Sequence, residues 1–587
     1  MSPHLSALGV SLLLLLLPLS SALPSPLSPS VERLILQPPP ALSFPPFTDP
    51  TKQPPLQNYQ LHHPPVVPRG GKSCTVELLQ YEFARSWDLP KVIDYTPVTD
   101  CGPPNEWAAI ILGLEVTSSG VQFDRLGSIS LEHIEVWRTS TAEPTLDGIV
   151  WTADKDVTRF RPVFARPGKL TFDENNLITD HYTGRFNTTL RITVYEPTDD
   201  SPSPATADVI LPLSTGSEDK SQMMRFPGET RKKLKLPKNT AEAYIEILAT
   251  GNGDEEFWYG NIPSHFAPYL PPSAELPARG PFREIQLWID GQLATIINPF
   301  PILYTGGANP LLWRPMASLR AFDVPSGWGD LTAFLGGLTD DKEHAFELRV
   351  LGQGKGGSVN ENWFLTASLH LILDSTDPPV RTTGRLTAYR FPPSPEELAT
   401  TGLISKGNKT ISTQVGSRRS WWVEGVLQTG AGEVRVRTEG RNWMSNSQFY
   451  ADGGMYESIS HLSTSSALST HSGRRKLSDS TSYPLTLTTN YTSYPYQYSA
   501  RLGPYGYHRS LLLPFGAEGS SGRRGAEKTQ SMQHGEAEVQ KWKNGTVEWA
   551  RSGTTEEYSW EGRGEWWEEE AKGECRARRL RCRSDDG

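Results

Sequence analysis

A basic stripe is missing from this sequence. Its 57 Lys and Arg are scattered and outnumbered by 66 Asp and Glu, for a formal charge of -9, so nothing in it resembles the footprint that neutralises a phosphate backbone, and nucleic acid is not an expected partner. Long apolar runs are missing as well. Only Leu12 to Leu17, inside "MSPHLSALGVSLLLLLLPLSSALPS", is continuously aliphatic, and Pro18 stops it well short of the about 18 apolar residues that a membrane span needs. The short leader, the apolar stretch and the small residues around Ser20 and Ala22 read as a secretory signal peptide over residues 1–22. The expected location is secreted or extracellular, or an acidic lytic compartment such as the vacuole, with no membrane span in the mature chain.

Cysteine is scarce. Four in 587 residues fit an oxidising compartment without building a disulfide scaffold, and Cys74 with Cys101 is the obvious pair, Cys575 and Cys582 lying at the far end. Neither these pairs nor His62 and His63 supply ligand spacing for zinc, so no metal and no other cofactor is expected. The GxSxG elbow, HExxH and GxxxxGK[ST] are all absent. The glycine-rich "LGQGKGGSVNENW" joins two strand-like runs and reads as a hairpin loop, because a phosphate cradle would lead from a strand into a helix.

Amphipathic helical periodicity is also hard to find, with "SPEELATTGL" the one candidate, a short helix capped by Ser394. What is present is a succession of short β-branched and aromatic runs broken by Gly, Pro, Asn and Asp: "WAAIILGLEV", "SISLEHIEVW", "TTLRITVYE", "REIQLWIDG", "HAFELRVLG", "WFLTASLHLILD". "TLRITVYE" and "REIQLWID" alternate with period two. The expectation is an all-β chain of two tandem antiparallel, jelly-roll-like β-sandwiches plus a β-rich C-terminal portion. Breaker clusters place a proline-rich arm at 23–73, the sandwiches at 74–198 and 205–378, and the C-terminal region at 385–587, partly disordered near its end. Sequons at Asn187, Asn408, Asn490 and Asn544 suggest glycosylated surface loops.

Carboxylates beside aromatics at the starts of strands carry the chemistry. In "VQFDRLGSISLEHIEVWRTSTAEPT" an Asp-Arg step precedes an apolar run, and further on come "GIVWT" and "DVTRF". Together these words closely resemble the peptide-N-glycosidase A family, the plant and fungal glycoamidases that remove N-linked glycans, from the proline arm to about Asp374. A looser likeness reaches the flavobacterial peptide-N-glycosidase F through "LPKNTAEAYIEILATGNGDEEFW". The resemblance implies that Asp124 is the principal catalytic carboxylate with Arg125 as its neighbour. It puts Glu256, or Glu255 one position away, at the second carboxylate and Glu174 near a third. Trp313 and Arg314 fall in a region that contributes to the cleft. In the flavobacterial enzyme cysteines flank the glutamate; here Glu255 and Phe257 do.

The chemistry implied suits these residues. The amide between Asn and the first GlcNAc is unreactive, so water must be activated on one side of the carbonyl while the oxyanion and departing nitrogen are stabilised on the other. An ionised Asp124, favoured by Arg125, suits the first task; a Glu256 crowded by Glu255 and desolvated by Phe257 and Trp258 has a raised pKa and suits the second. In regular β geometry Glu255 and Glu256 point to opposite faces, so one of them faces the cleft. Trp258, Trp313 and Trp328 are either core residues or sugar platforms. The expected substrate is an N-glycosylated peptide or glycoprotein, whose Asn becomes Asp with release of a glycosylamine. The competing readings are a carbohydrate-binding sandwich without turnover and a two-carboxylate glycoside hydrolase, which would leave Asn intact.

Overall fold

The computed structural model describes residues 55–68, 70–493, 496–515, 526–541, 547–562, 565–577 and 581–585. The signal segment, most of the proline-rich arm and Asn544 lie outside these residues.

The first eight strands after the arm form two facing antiparallel sheets. One runs, in spatial order, Ile149–Asp156, Ala109–Ser118, Phe186–Tyr195, Ser73–Phe83; the other Lys91–Tyr95, Gly168–Glu174, Leu126–Leu131, Ile134–Ser140. Numbered along the chain, these orders are six-three-eight-one facing two-seven-four-five, the connectivity of a jelly roll. A second jelly roll repeats it. Val209–Leu213, Asn362–Leu373, Thr240–Asn252 and Gly327–Asp330 make one sheet, and Arg231–Leu234, His344–Gly352, Arg283–Ile289 and Gln292–Ile297 the other. The fold is therefore all-β, built from two jelly-roll sandwiches and a further sheet described below.

Local patterning explains which strands are half-buried. Phe186–Tyr195 alternates buried with partly exposed positions along its whole length, as a strand with one solvated face must. Arg283–Ile289 is different: despite its period-two sequence nearly every residue is buried. Ile285, Leu287 and Ile289 fill the sandwich core, while the polar Glu284 is covered from outside by Arg419, 2.7 Å from it. That cover belongs to the C-terminal region, where the chain folds into an eleven-stranded sheet, most of it an antiparallel meander, with strands up to 20 residues long. Its inner face, including Trp421, Val423, Leu427, Tyr483 and Leu485, shares one hydrophobic core with the second sandwich. Burial on this scale is worth about 1.5–3 kcal/mol per large side chain, which fixes the sheet in place.

Two sequence expectations are corrected here. "SPEELATTGL" is not a helix; Glu397–Ile404 is a strand paired with Thr410–Thr429, whose long edge offers it a ladder of hydrogen bonds. "LGQGKGGSVNENW" is not a hairpin, because the strands it joins lie in opposite sheets of the second sandwich. The described part of the arm is tied into both sandwiches. Leu56–Asn58 adds a parallel strand to the first sandwich, Asn58 donates to Trp313 O (2.8 Å), and Tyr59 exchanges backbone hydrogen bonds with Pro315 and Ala317. The two cysteines do pair, as a Cys74–Cys101 disulfide. Of the sequons, Asn187 and Asn490 are exposed on strands and Asn408 on a turn.

The two sandwiches meet across a polar, buried seam. Arg138 donates to both oxygens of Glu135 (2.9 and 2.7 Å) and, across the seam, to Thr250 Oγ1 (3.1 Å) and Phe364 O (2.9 Å). Arg159 pairs with Glu246 at 2.7 Å. Such pairs fix relative orientation, since breaking one partner leaves an uncompensated buried charge.

Candidate active site

Because both sandwiches have the same topology, their corresponding connections fall at corresponding places. The connection from third to fourth strand carries Asp124 in the first sandwich and Glu256 in the second; that from fifth to sixth carries Glu143 in the first and Tyr304, Gly306 and Arg314 in the second. All four connections converge at the seam.

Residues 121–125 lead into the strand that starts at Leu126 and are held at several points. Gln122 Nε2 donates to Leu177 O (3.0 Å) and Gly184 O (3.3 Å), and its Oε1 accepts from Phe123 N (3.1 Å) and Arg125 Nη2 (2.7 Å). Arg125 N donates to Thr141 Oγ1 (2.8 Å), and Thr141 N to Arg125 O (2.9 Å). This anchoring is unlike a solvated turn, and it ties Asp124 to the segment that bears Glu143. Thr305 completes the tie from the second sandwich: its Oγ1 donates to Thr141 O (2.7 Å) and accepts from Glu143 N (3.2 Å).

Gly306 shows how tightly the carboxyls are gathered. A methyl group built on it would lie 2.2 Å from Asp124 Oδ1 and 2.6 Å from Glu143 Oε1, so those oxygens are no farther apart than the two lengths laid end to end. The Gly306 amide donates to Asp124. Glu256 joins the pair from the second sandwich, and none of the three residues is wholly buried. Burial raises Asp124 to about 6, with Arg125 and backbone hydrogen bonds pulling the other way. Burial and the Asp124 charge raise Glu143 to about 8. Glu256 is held well above the usual carboxylate range by burial and then by Asp124 and Glu143. Burial also pushes the nearby Tyr304 phenol up, keeping it a donor.

Glu255 lies elsewhere. It is buried and receives Arg283 Nε (2.5 Å), Arg283 Nη2 (2.6 Å), Asn360 N (2.7 Å) and Trp363 Nε1 (2.7 Å). The expectation that Glu255 binds substrate, or crowds Glu256, is thus replaced by a structural role. The two side chains diverge because Gly253–Glu255 is a 3-10 turn with Glu256 at its end, where successive side chains fan around an axis instead of alternating. Trp258 and Trp313 are 3 % and 1 % exposed; they are core and not sugar platforms. Trp258 stands edge-on to Tyr259 and His461, and Trp313 Nε1 donates to Gly307 O (2.8 Å), bracing the glycine turn. Trp328 is core as well. Glu174 is buried at the end of its strand, raised to about 8 by burial and the neighbouring Asp173, with Arg125 opposing. It is too deep to meet a substrate directly, and burial favours its neutral form beside Arg125.

Arg314 is buried and donates to Glu143 O and Pro144 O, both at 3.3 Å, with its guanidinium 3.9 Å from Glu143 Oε2. Glu143 escaped the sequence reading although it sits in the word "TAEPT", because a single Glu between Ala142 and Pro144 has no spacing that announces chemistry. Trp87, half-buried with the Arg125 guanidinium 5.9 Å from its ring centroid, and half-buried Phe257 beside Gly307 add aromatic faces to the site. Phe257 stands beside Glu256 in the sequence, whereas Trp87 had no signal beyond composition.

A seam that collects carboxyls of raised pKa beside two guanidiniums is a candidate acid-base site shared by two domains. Comparison with known proteins agrees with that class. Residues 64–390 match the family described as peptide N-acetyl-beta-D-glucosaminyl asparaginase amidase A. The peptide-N4-(N-acetyl-beta-glucosaminyl)asparagine amidase A of Prunus dulcis is 31% identical over 423 residues, covering 68% of this chain and 71% of its own. The chain belongs to this peptide-N-glycosidase A family. Among solved structures, PNGase F, a glycosylasparaginase from Flavobacterium meningosepticum, aligns at 12% identity over 51% of this chain and 96% of its own with a TM-score of 0.33. PNGF-II aligns at 13% identity over 51% and 66%, with a TM-score of 0.34.

Proposed function

We propose that this protein hydrolyses the amide bond between an asparagine side chain and the first GlcNAc of N-linked glycans on peptides, converting Asn to Asp and releasing a glycosylamine. The observation that carries the reading is the meeting of Asp124 and Glu256, from equivalent connections of two sandwiches, in a member of this family. Near neutral pH Asp124, at about 6, is the carboxyl of the group most readily ionised, and it orients or deprotonates water for attack on the amide carbon. Glu256, holding its proton, hydrogen-bonds the carbonyl oxygen or gives the proton to the departing nitrogen as the C–N bond breaks. Arg125 favours the charge on Asp124 and Tyr304 supplies a further donor. The signal-like segment at residues 1–22 supports delivery to the secretory pathway.

The test is a defined N-glycopeptide followed by mass spectrometry. Loss of the whole glycan with Asn converted to Asp supports the reading. A single GlcNAc left on intact Asn indicates a glycoside hydrolase, and binding without change indicates a lectin-like protein. Activity is expected to survive excess chelator, since every step is assigned to side chains.

A further inference from the structure

Glu143 has no part in the steps above, yet it stands at their centre. Its backbone is fixed by Thr305 and Arg314 and its side chain is 11 % exposed. The charged groups facing it are Asp124 and Arg125 from its own sandwich and Glu256 and Arg314 from the other. Two carboxylates brought together by the Gly306 turn, with a third beside them, repel too strongly in a half-buried site for all to ionise. The surroundings favour Asp124 as the anion: the Gly306 amide donates to it and Arg125 adjoins it. Arg314, by contrast, spends hydrogen bonds on two backbone carbonyls and holds its charge 3.9 Å from the Glu143 carboxylate.

We propose that Glu143 is a positioning residue for the reaction: clamped at the seam by Thr305 and Arg314, it keeps a proton beside Asp124, so that the pair carries one negative charge and that charge stays on Asp124. The inference rests on the proposed activity for its kinetic consequence. Above about 8, where Glu143 loses its proton, a second charge appears beside the base and beside Glu256, and the working distribution of protons is lost. The charges of Asp124 and Glu143 both hold the proton on Glu256, so each ionisation beside it makes that proton harder to lose. The alkaline limb of the pH profile therefore belongs to Glu143.

The experiment uses the full chain and two variants, Glu143→Gln and Arg314→Gln, with kcat/KM on a glycopeptide and thermal midpoint measured from about pH 5 to about pH 9. Glutamine keeps the shape and neutrality of protonated Glu143. Glu143→Gln is expected to hold kcat/KM within roughly tenfold of wild type at the optimum, as its donor remains, and to move the alkaline limb up by at least about one pH unit. Arg314→Gln removes the cation that favours Glu143 ionisation and is expected to move the same limb up without touching the carboxyl. The thermal midpoint gives a readout without turnover. A carboxyl raised on folding stabilises fully below its unfolded pKa and loses that contribution as pH rises through about 8, so the midpoint of wild type should fall more steeply with pH than that of Glu143→Gln. An unmoved limb in both variants, or parallel midpoint curves, would overturn the proposal. So would a Glu143→Gln enzyme reduced far more than tenfold equally at every pH, since that marks a proton-transfer or purely structural role. If wild type releases no glycan, the proposed activity fails while the midpoint curves still decide the role of Glu143.

Discussion

Gly306→Ala is the smallest change aimed at the centre of the site. The new methyl would lie 2.2 Å from Asp124 Oδ1 and 2.6 Å from Glu143 Oε1, where ordinary contact begins at 3.4 Å. Relief therefore requires the Asp124 carboxyl, the turn, or both to retreat by roughly 1 Å, and a misplacement of that size costs about 10²-fold in rate when reacting groups must be aligned. The same retreat lengthens the hydrogen bond from the Gly306 amide, which lowers Asp124's fitness as an anion further. Overpacking of this kind destabilises by about 1–3 kcal/mol, a drop of a few degrees in midpoint that leaves the protein folded. Glycopeptide deglycosylation by mass spectrometry and thermal melting, run together, separate the two effects. Gly337→Ala is the control, because its methyl meets nothing within 4 Å, and should change neither. A Gly306→Ala protein with wild-type rate would refute the placement of Asp124 at the reacting centre.

Asp124→Asn and Glu256→Gln should each lower turnover by about 10² to 10⁴-fold with glycopeptide affinity retained, the scale of a positioned acid or base; calorimetric binding with unchanged kinetics would contradict the assignment. Glu255→Gln should instead act on stability, lowering the midpoint in melts because it removes the charge opposite buried Arg283, a loss of about 3–5 kcal/mol; a rate effect without a midpoint effect would return Glu255 to the cleft. His471, between Asp330 at 2.8 Å and Glu242 at 3.8 Å, is raised to about 9 by those two carboxylates and links the C-terminal sheet to the second sandwich. Its stabilisation is fully present below the ordinary histidine pKa and is lost as pH rises through about 9, so His471→Gln should lower the midpoint near pH 6 and make little difference near pH 10.

The C-terminal sheet holds the loops that carry the site. Tyr505 Oη accepts from Leu303 N (3.1 Å), Asn446 Nδ2 donates to Tyr259 O (2.8 Å), Gln533 Nε2 to Ala317 O (2.9 Å) and Thr554 Oγ1 to Leu312 O (2.6 Å). Each bond falls on a connection of the second sandwich next to Glu256, Tyr304, Gly306 or Arg314. A connection of this length has few backbone partners of its own, and long strands laid across it supply them. Rigidity of the site is thus borrowed from a region that, among the described residues, places none of the carboxyls or guanidiniums gathered there.

The sequence by itself determined that this chain is all-β, because short β-branched and aromatic runs punctuated by Gly, Pro and Asn have no other way to bury one face and solvate the other, as in Phe186–Tyr195. Through local words such as QFDR and GNGDEEFW it also marked the connections in which carboxylates stand beside aromatics. Tertiary structure decided everything that depends on what lies opposite. Arg283–Ile289 alternates in sequence yet is covered on both faces once Arg419 and its sheet close over it. The segment after Ser394, helical by local propensity, is a strand because a 20-residue neighbour offers its edge. Glu255 and Glu256 are indistinguishable as letters, but Arg283, Asn360 and Trp363 claim one of them and leave the other to Asp124. Glu143 stands in the word TAEPT, but nothing in its spacing from Asp124 or Glu256 marks it as their partner. Its position follows from two jelly rolls presenting equivalent connections to one seam, a relation between residues 124, 143, 256 and 306 that no spacing along the chain encodes.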